Sequence, residues 1–333
     1  MGELVLPQVV SELVSRNRVT ADDVLRLRRE VYRDGIASRA EAEALFAIDR
    51  VCGECAPQWD EFFVEVVTDF LVNSEQPKGY ISDANAQWLI RAISQDGVVD
   101  TRTEIELLVK VLEKAKSSPA SLSAFALQQV AHVVVHGSGA LAKGRVAQPG
   151  VVTKTDVDLM RRVLYAYGGD GHVGITRDEA EVLFDINDAT VEAQNDPAWS
   201  DLFTKAVGFS LLASFGYAPP SKDDALARDV WLNDTDVNVG GFFSRMFAGG
   251  LKGYRDALAT PTGVEVAFAE KNARREAANA SAEMVTEDEA QWLIQRIGRD
   301  GVLHDNERQL LRFIADEAST IHPALKPLLD KVA

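Results

Sequence analysis

Eight acidic residues carry the chemistry most open to reading. Four Asp-Gly pairs, Asp34-Gly35, Asp96-Gly97, Asp170-Gly171 and Asp300-Gly301, are each followed by a glutamate, at Glu41, Glu104, Glu179 and Glu307. Carboxylates from a turn and from the helix start after it are hard oxygen donors of the kind that hold a divalent cation. The Gly-to-Glu interval is 6 at the first and last, 7 at the second and 8 at the third, so one shared coordination geometry does not serve all four. A calcium loop of the EF-hand kind needs oxygen ligands at its positions 1, 3, 5, 9 and 12 with glycine at 6. Gly35 in that place gives Glu30, Tyr32, Asp34, Ser38 and Glu41, whereas the others begin on Ala92, Ala166 and Arg296. A calcium sensor is therefore not expected, and any weak divalent-cation site is expected first at Asp34. The same residues also have a purely mechanical reading, because glycine ends helices and a glutamate three residues after Ser or Thr begins them.

Other groupings are weaker. Cys52 and Cys55 have the spacing of a redox pair or half a zinc site, but zinc needs four ligands and the βαβ setting of a thioredoxin-like motif is absent. Cys52 continues the apolar series of Leu45 and Ile48, so both cysteines are expected as small buried residues in a reducing compartment. His132 and His136 are four apart on a helical stretch with Val and Ala as neighbours and no acidic partner, which disfavours a metal role. Gly137-Ser-Gly139 with Ala142 fits a dinucleotide fingerprint only between a strand and a helix, and Gly137 reads instead as a helix stop. Lys143 is followed by Gly144 rather than Ser or Thr, so it is no phosphate loop.

The elements that must position these residues repeat. ISDANAQWLIRAISQDGVVDTRTEIELL from Ile81 matches VTEDEAQWLIQRIGRDGVLHDNERQLL from Val285, and the stretch from Val19 matches that from Val152. Each opens on an N-cap: Thr20 with Asp23, Ser82 with Asn85, Thr153 with Asp156, and Thr286 with Glu289. After the Asp-Gly pair a second cap follows, at Ser38 with Glu41, Thr101 with Glu104, Thr176 with Glu179, and more weakly at His304 or Asp305 with Glu307. A proline then opens a third helix, 22 residues after the glycine at Pro57, Pro119 and Pro323 and 26 at Pro197. The expected architecture is all-α, four tandem three-helix units in A-B-A′-B′ order. The N-terminal half, 1–136, holds units at about 18–75 and 80–136. A Gly-rich linker spans 137–150. The C-terminal half, 151–333, holds units at about 151–216 and 284–333, separated by a helical insertion over 217–283.

Within that insertion Phe242, Phe243, Met246, Phe247, Leu251 and Tyr254 fall on one helical stripe, accompanied by Arg245, Lys252 and Arg255. The stripe is expected to pack on its own domain or to serve a protein partner or self-association over 237–258, with peripheral membrane contact as a further outcome.

Charge sets the remaining limits. Lys and Arg number 35 against 51 Asp and Glu, a net charge of -16, which opposes the phosphate contacts that dominate nucleic-acid affinity. No nucleic-acid partner is expected. The start carries neither a basic region nor a cleavable apolar stretch, so a cytoplasmic location is expected.

The recurring pattern of helix, Asp-Gly-aliphatic, short spacer, glutamate and helix resembles the TerB-like tellurite-resistance family. The resemblance covers the four helix-turn-helix cores and not the insertion. It implies a cytoplasmic, all-helical domain in which Asp34 and Glu41, Asp96 and Glu104, Asp170 and Glu179, and Asp300 and Glu307 lie around a divalent metal. It further implies a non-catalytic binding or scaffold role in a bacterial stress or envelope-linked response. No catalytic residue or firm cofactor is assigned. The alternative is a metal-dependent helical hydrolase, which would need two acidic turns to meet in one cleft.

Overall fold

Every helix start set by the Ser/Thr-x-x-acid spacing is present in the computed structural model, which describes residues 2–32, 38–74, 76–94, 96–99, 101–142, 148–166, 175–211, 284–318 and 320–332. The caps at Thr20, Ser38, Ser82, Thr101, Thr153, Thr176, Thr286 and His304 lead into α2 (Ala21–Arg26), α3 (Arg39–Val51), α5 (Asp83–Ile93), α6 (Arg102–Lys114), α8 (Lys154–Leu164), α9 (Arg177–Ala189), α11 (Glu287–Arg296) and α12 (Asp305–Glu317). The prolines lead into α4 (Pro57–Asn73), α7 (Ala120–His136) and α10 (Pro197–Leu211). The described chain is thus mostly helical, and none of its helices is long and apolar enough to cross a membrane.

Five details depart from expectation. A further helix, α1 (Gly2–Arg16), precedes the first repeat and buries Val9 and Leu13 as it lies on α3. The first repeat's opening helix passes from α2 into a π-helical turn at Leu27–Val31. Pro119 is the cap of α7 rather than its first residue. Pro323 opens only a 3₁₀ turn, Pro323–Leu325, and the short α13 (Lys326–Leu329), where a full helix was expected. Helices α5 and α11 also stop before their Asp-Gly pairs, and Gly97 and Gly301 take φ of 89° and 83° within the connecting turns.

A short backbone clamp recurs at four places, joining the residue before a capped helix to the approach of a proline-led one, and three of the four pair in parallel. The Ala56 amide donates to Val19 O at 2.9 Å, Ile81 to Ser117 O at 2.8 Å, Asp196 to Val152 O at 2.9 Å and His322 to Val285 O at 3.2 Å. Two of these extend to paired strands, β1 (Arg18–Val19) with β2 (Glu54–Cys55) and β3 (Met284–Val285) with β4 (Thr320–Ile321).

The aromatic core repeats as well. Phe46 meets Phe63 edge-on at 5.1 Å and Phe184 meets Phe203 at 5.2 Å. Arg39 lies over Trp88 at 5.3 Å and Arg177 over Trp292 at 5.0 Å. The Trp88 indole donates to Glu43, and that of Trp292 donates to Glu181. Across the Gly-rich stretch, α7 lies against α8 and α9, and the left-handed Gly137 ends α7 where the sequence places its stop.

Cys52 and Cys55 are half-buried and joined as a disulfide, which corrects their reading as small buried residues. Cys52 sits at the end of α3 and Cys55 in β2, so the bond fastens α3 to the clamp. Its sequence separation is only 3. Closing so short a loop removes little chain entropy, about 2 kcal/mol. Dithiothreitol is therefore expected to reduce the unfolding free energy from urea titration by no more than this and to leave the far-ultraviolet dichroism unchanged.

Candidate functional site

The four turn glutamates are committed to helix starts. Glu41 Oε2 accepts from the Ser38 amide at 3.1 Å, Glu104 Oε2 from Thr101 at 3.2 Å, Glu179 Oε2 from Thr176 at 2.7 Å and Glu307 Oε2 from His304 at 2.8 Å. Glu307 accepts a second bond, from the Gly298 amide at 2.9 Å. Burial pushes the Glu179 carboxyl above its usual range, against the bonds from Thr176 that favour its charge. The aspartates shape their turns: Asp96 Oδ1 accepts from the Val98 amide at 3.1 Å and Asp300 Oδ1 from Val302 at 2.9 Å. Asp300 also meets His304 Nε2 at 2.8 Å; the shared bond holds the Asp300 carboxyl low and the His304 imidazole high.

Asp34 and Asp170 lie outside the described residues, as do Phe242, Phe243, Met246, Phe247, Leu251 and Tyr254. Among the described residues no group of three or more His, Cys, Asp or Glu side chains is arranged to hold a metal ion. The His132 and His136 rings do lie together, 4.9 Å apart and tilted by 53°, and His132 Nε2 bonds Ser138 Oγ at 2.8 Å. The Gly137–Ala142 stretch forms a helix stop and a 3₁₀ turn, not the strand-to-helix turn of a dinucleotide site.

What the fold does bring together is a groove between α4 and α6, with a volume of about 760 Å³. Thr103 Oγ1 donates to Asp60 Oδ1 at 3.1 Å, which sets the starts of the two helices side by side. The groove runs from there to Asn73 and Lys114. Positions four apart on a helix share a face, so α4 supplies an acidic rim of Glu61, Glu65 and Asp69 above a floor of Val64, Thr68 and Val72. The opposite rim, from α6, is Arg102, Glu106, Lys110 and Lys114.

Neighbours neutralise part of each rim. Arg28 pairs with Glu65, holding that carboxyl below its usual range, and Arg162 binds Glu106 at 3.2 Å. Glu61 on one side, and Arg102 and Lys114 on the other, have no ion-pair partner among the described residues. Thr68 is 6% exposed and its Oγ1 has no hydrogen-bond partner. The groove's one hydroxyl–carboxylate contact among the described residues is that of Thr103 with Asp60, at its end, and it serves to join the two helix starts.

No family model, curated protein or solved structure matches the chain. Its function rests on its own geometry. Sequence reasoning missed the groove, although the signal was there in the four-residue spacing of charges on α4 and α6. It also missed an ion cluster around a buried arginine, in which Arg296 on α11 reaches Asp185 at 2.8 Å, Glu181 at 3.4 Å and Asp188 at 3.5 Å on α9. Arg296 lies over the Phe184 ring at 5.1 Å, and the cluster fastens α11 to α9 rather than opening to a cleft.

Proposed function

We propose that this chain is a non-catalytic binding or scaffold protein of TerB-like type, built from four three-helix units in A-B-A′-B′ order with its halves meeting at 137–150. The recurring clamps and aromatic pairs support that unit arrangement. The TerB-like resemblance of the turns is what supports the further reading of a cytoplasmic role in a bacterial stress or envelope-linked response.

The observation that carries the binding role is the α4–α6 groove. It offers a floor of Val64, Thr68 and Val72 between rims of opposite charge, which supports recognition of a partner surface. Cation binding at the Asp-Gly turns is subordinate to this role, with Asp34 as the first place to look.

The test is a phosphatase and nucleotide-hydrolase screen with added Mg or Mn, run beside calorimetric titration of chelator-treated protein and its Asp34→Asn variant. The expected result is no turnover with either metal. Turnover that rises with metal and falls in Asp34→Asn would replace this reading with that of a metal-dependent hydrolase.

A further inference from the structure

The repeat supplies an internal control for the groove. Helices α10 and α12 match α4 and α6 in sequence and also lie side by side. In that pair Gly208 stands where α4 has Thr68, and Phe313 stands where α6 has Lys110. A Cβ on Gly208 would collide with the Phe313 ring, so the glycine admits the phenyl group between the helices. Phe313 also meets Phe209 edge-on at 5.6 Å. The concavity left there is about 470 Å³, and its α10 wall ends at Lys205. Between α4 and α6 the plug is missing and the groove continues to Asn73, while a buried threonine hydroxyl without a partner is common to both pairs, Thr68 here and Thr204 there.

We infer that the α4–α6 groove is a docking site for an amphipathic helix that carries basic residues along one flank and acidic residues along the other. The inference rests on the binding reading above and names its partner's chemistry. Asp60 to Asn73 on α4 spans about 20 Å at 1.5 Å per residue, the length of a helix of about fourteen residues. Leu or Val side chains at helical spacing would fill the place that Phe313 takes in the other pair, over Val64, Thr68 and Val72. Basic side chains on one flank meet Glu61 and Asp69; acidic ones on the other meet Arg102 and Lys114. A second copy of this chain fits less well. It would present an equal concavity where a ridge is needed, and a net charge of -16 on each copy opposes self-association.

The experiment is selection from a phage-displayed library of helices of about fourteen residues, with Leu or Val fixed on one face and flanks randomised among Lys, Glu and Ala. Selection uses the full chain. Enriched clones are expected to carry Lys on one flank and Glu on the other. As synthetic fluorescein-labelled peptides they should bind at least about tenfold more weakly to Glu61→Lys/Asp69→Lys, whose changes are exposed, and to Thr68→Gly/Lys110→Phe, which installs the plug. Circular dichroism and urea midpoints establish that each variant is folded, and the charge-reversal pair serves alone if the plugged one is not.

Absence of enrichment over the plugged variant, like-charged flanks on the winners, or equal binding to the charge-reversed variant would each overturn the inference. So would a dimer in analytical ultracentrifugation that Glu61→Lys/Asp69→Lys dissociates, since the groove would then be a self-interface. If the hydrolase screen is blank when any of these occurs, the binding reading stands and only the occupant was wrong. Metal-dependent turnover removes the reading itself.

Discussion

Replacing Arg296 with alanine is expected to destabilise the protein by about 2–3 kcal/mol, read as a lower urea midpoint at neutral pH. The guanidinium is 91% removed from solvent at its side chain, while its three carboxylate partners remain between 37% and 64% exposed. Removing a buried cation leaves its anions facing one another, and their residual contact with water brings the cost to or below the lower end of the usual range for a buried pair. Burial already pushes the Asp188 carboxyl up, with Arg296 opposing that rise and Glu307 and Asp185 adding to it. Without Arg296 that pKa rises further in the folded state. The folded protein then binds more protons than the unfolded chain, so the deficit is largest above the raised pKa and shrinks as pH falls through it.

The matching segments specify a rescue. Where α9 and α11 have Asp185, Asp188 and Arg296, α3 and α5 have Ala47, Arg50 and Ala92. There the Arg50 guanidinium donates to the Ala92 carbonyl at 2.7 Å, so one cation fastens the same two helices without an acidic cluster. The triple variant Arg296→Ala/Asp185→Ala/Asp188→Arg copies that solution and is expected to return to within about 1 kcal/mol of the parent. A triple variant no more stable than Arg296→Ala alone would show that the two helix pairs are not interchangeable.

What was legible in the sequence follows from how far each interaction reaches along the chain. Caps such as Thr153 with Asp156 close over three residues, so composition and spacing suffice, and even the weak start at His304 with Glu307 is found. The stop at Gly137 was legible for the same reason. Asp96 and Asp300 were correctly placed at turns, but their bonds to Val98 and Val302 are local, and spacing alone does not separate such a bond from metal ligation. The groove depends on α4 lying beside α6, and the ion cluster on α9 meeting α11, so neither can be read from one segment. Each left a trace in the comparison of repeats, as Lys110 against Phe313 and Ala92 against Arg296, and the groove a second one in the spacing of its charges. The α1 helix escaped because no cap precedes it. The last repeat's third helix was overread because proline opens a 3₁₀ turn as readily as an α-helix.

Two tryptophans at matching positions should answer differently to the same change. Trp59 and Trp199 are both buried, and each ring lies against a phenylalanine, Phe63 at 5.9 Å and Phe203 at 5.8 Å. The Trp59 indole donates to Asp49 Oδ1 at 2.7 Å. At the position matching Asp49 stands Asn187, whose Oδ1 accepts from Asn306 Nδ2 at 2.8 Å, and the Trp199 indole nitrogen has no hydrogen-bond partner. Tryptophan to phenylalanine removes a comparable volume from each core. At Trp59 it also strips a half-buried carboxylate of its donor, whereas at Trp199 it removes an N–H group that was already unsatisfied. Trp59→Phe is therefore expected to cost about 1.5–3 kcal/mol more than Trp199→Phe at neutral pH. Burial pushes the Asp49 carboxyl up while the bond from Trp59 opposes it, so losing that bond raises the pKa further. The extra cost is present above that raised pKa and fades as pH falls through it. Adding Asp49→Asn to Trp59→Phe should recover most of the difference, because an amide has no charge to desolvate. Urea titrations of the four proteins at neutral and acidic pH decide the matter, and equal losses at the two tryptophans would show that the indole bond to Asp49 adds nothing to stability.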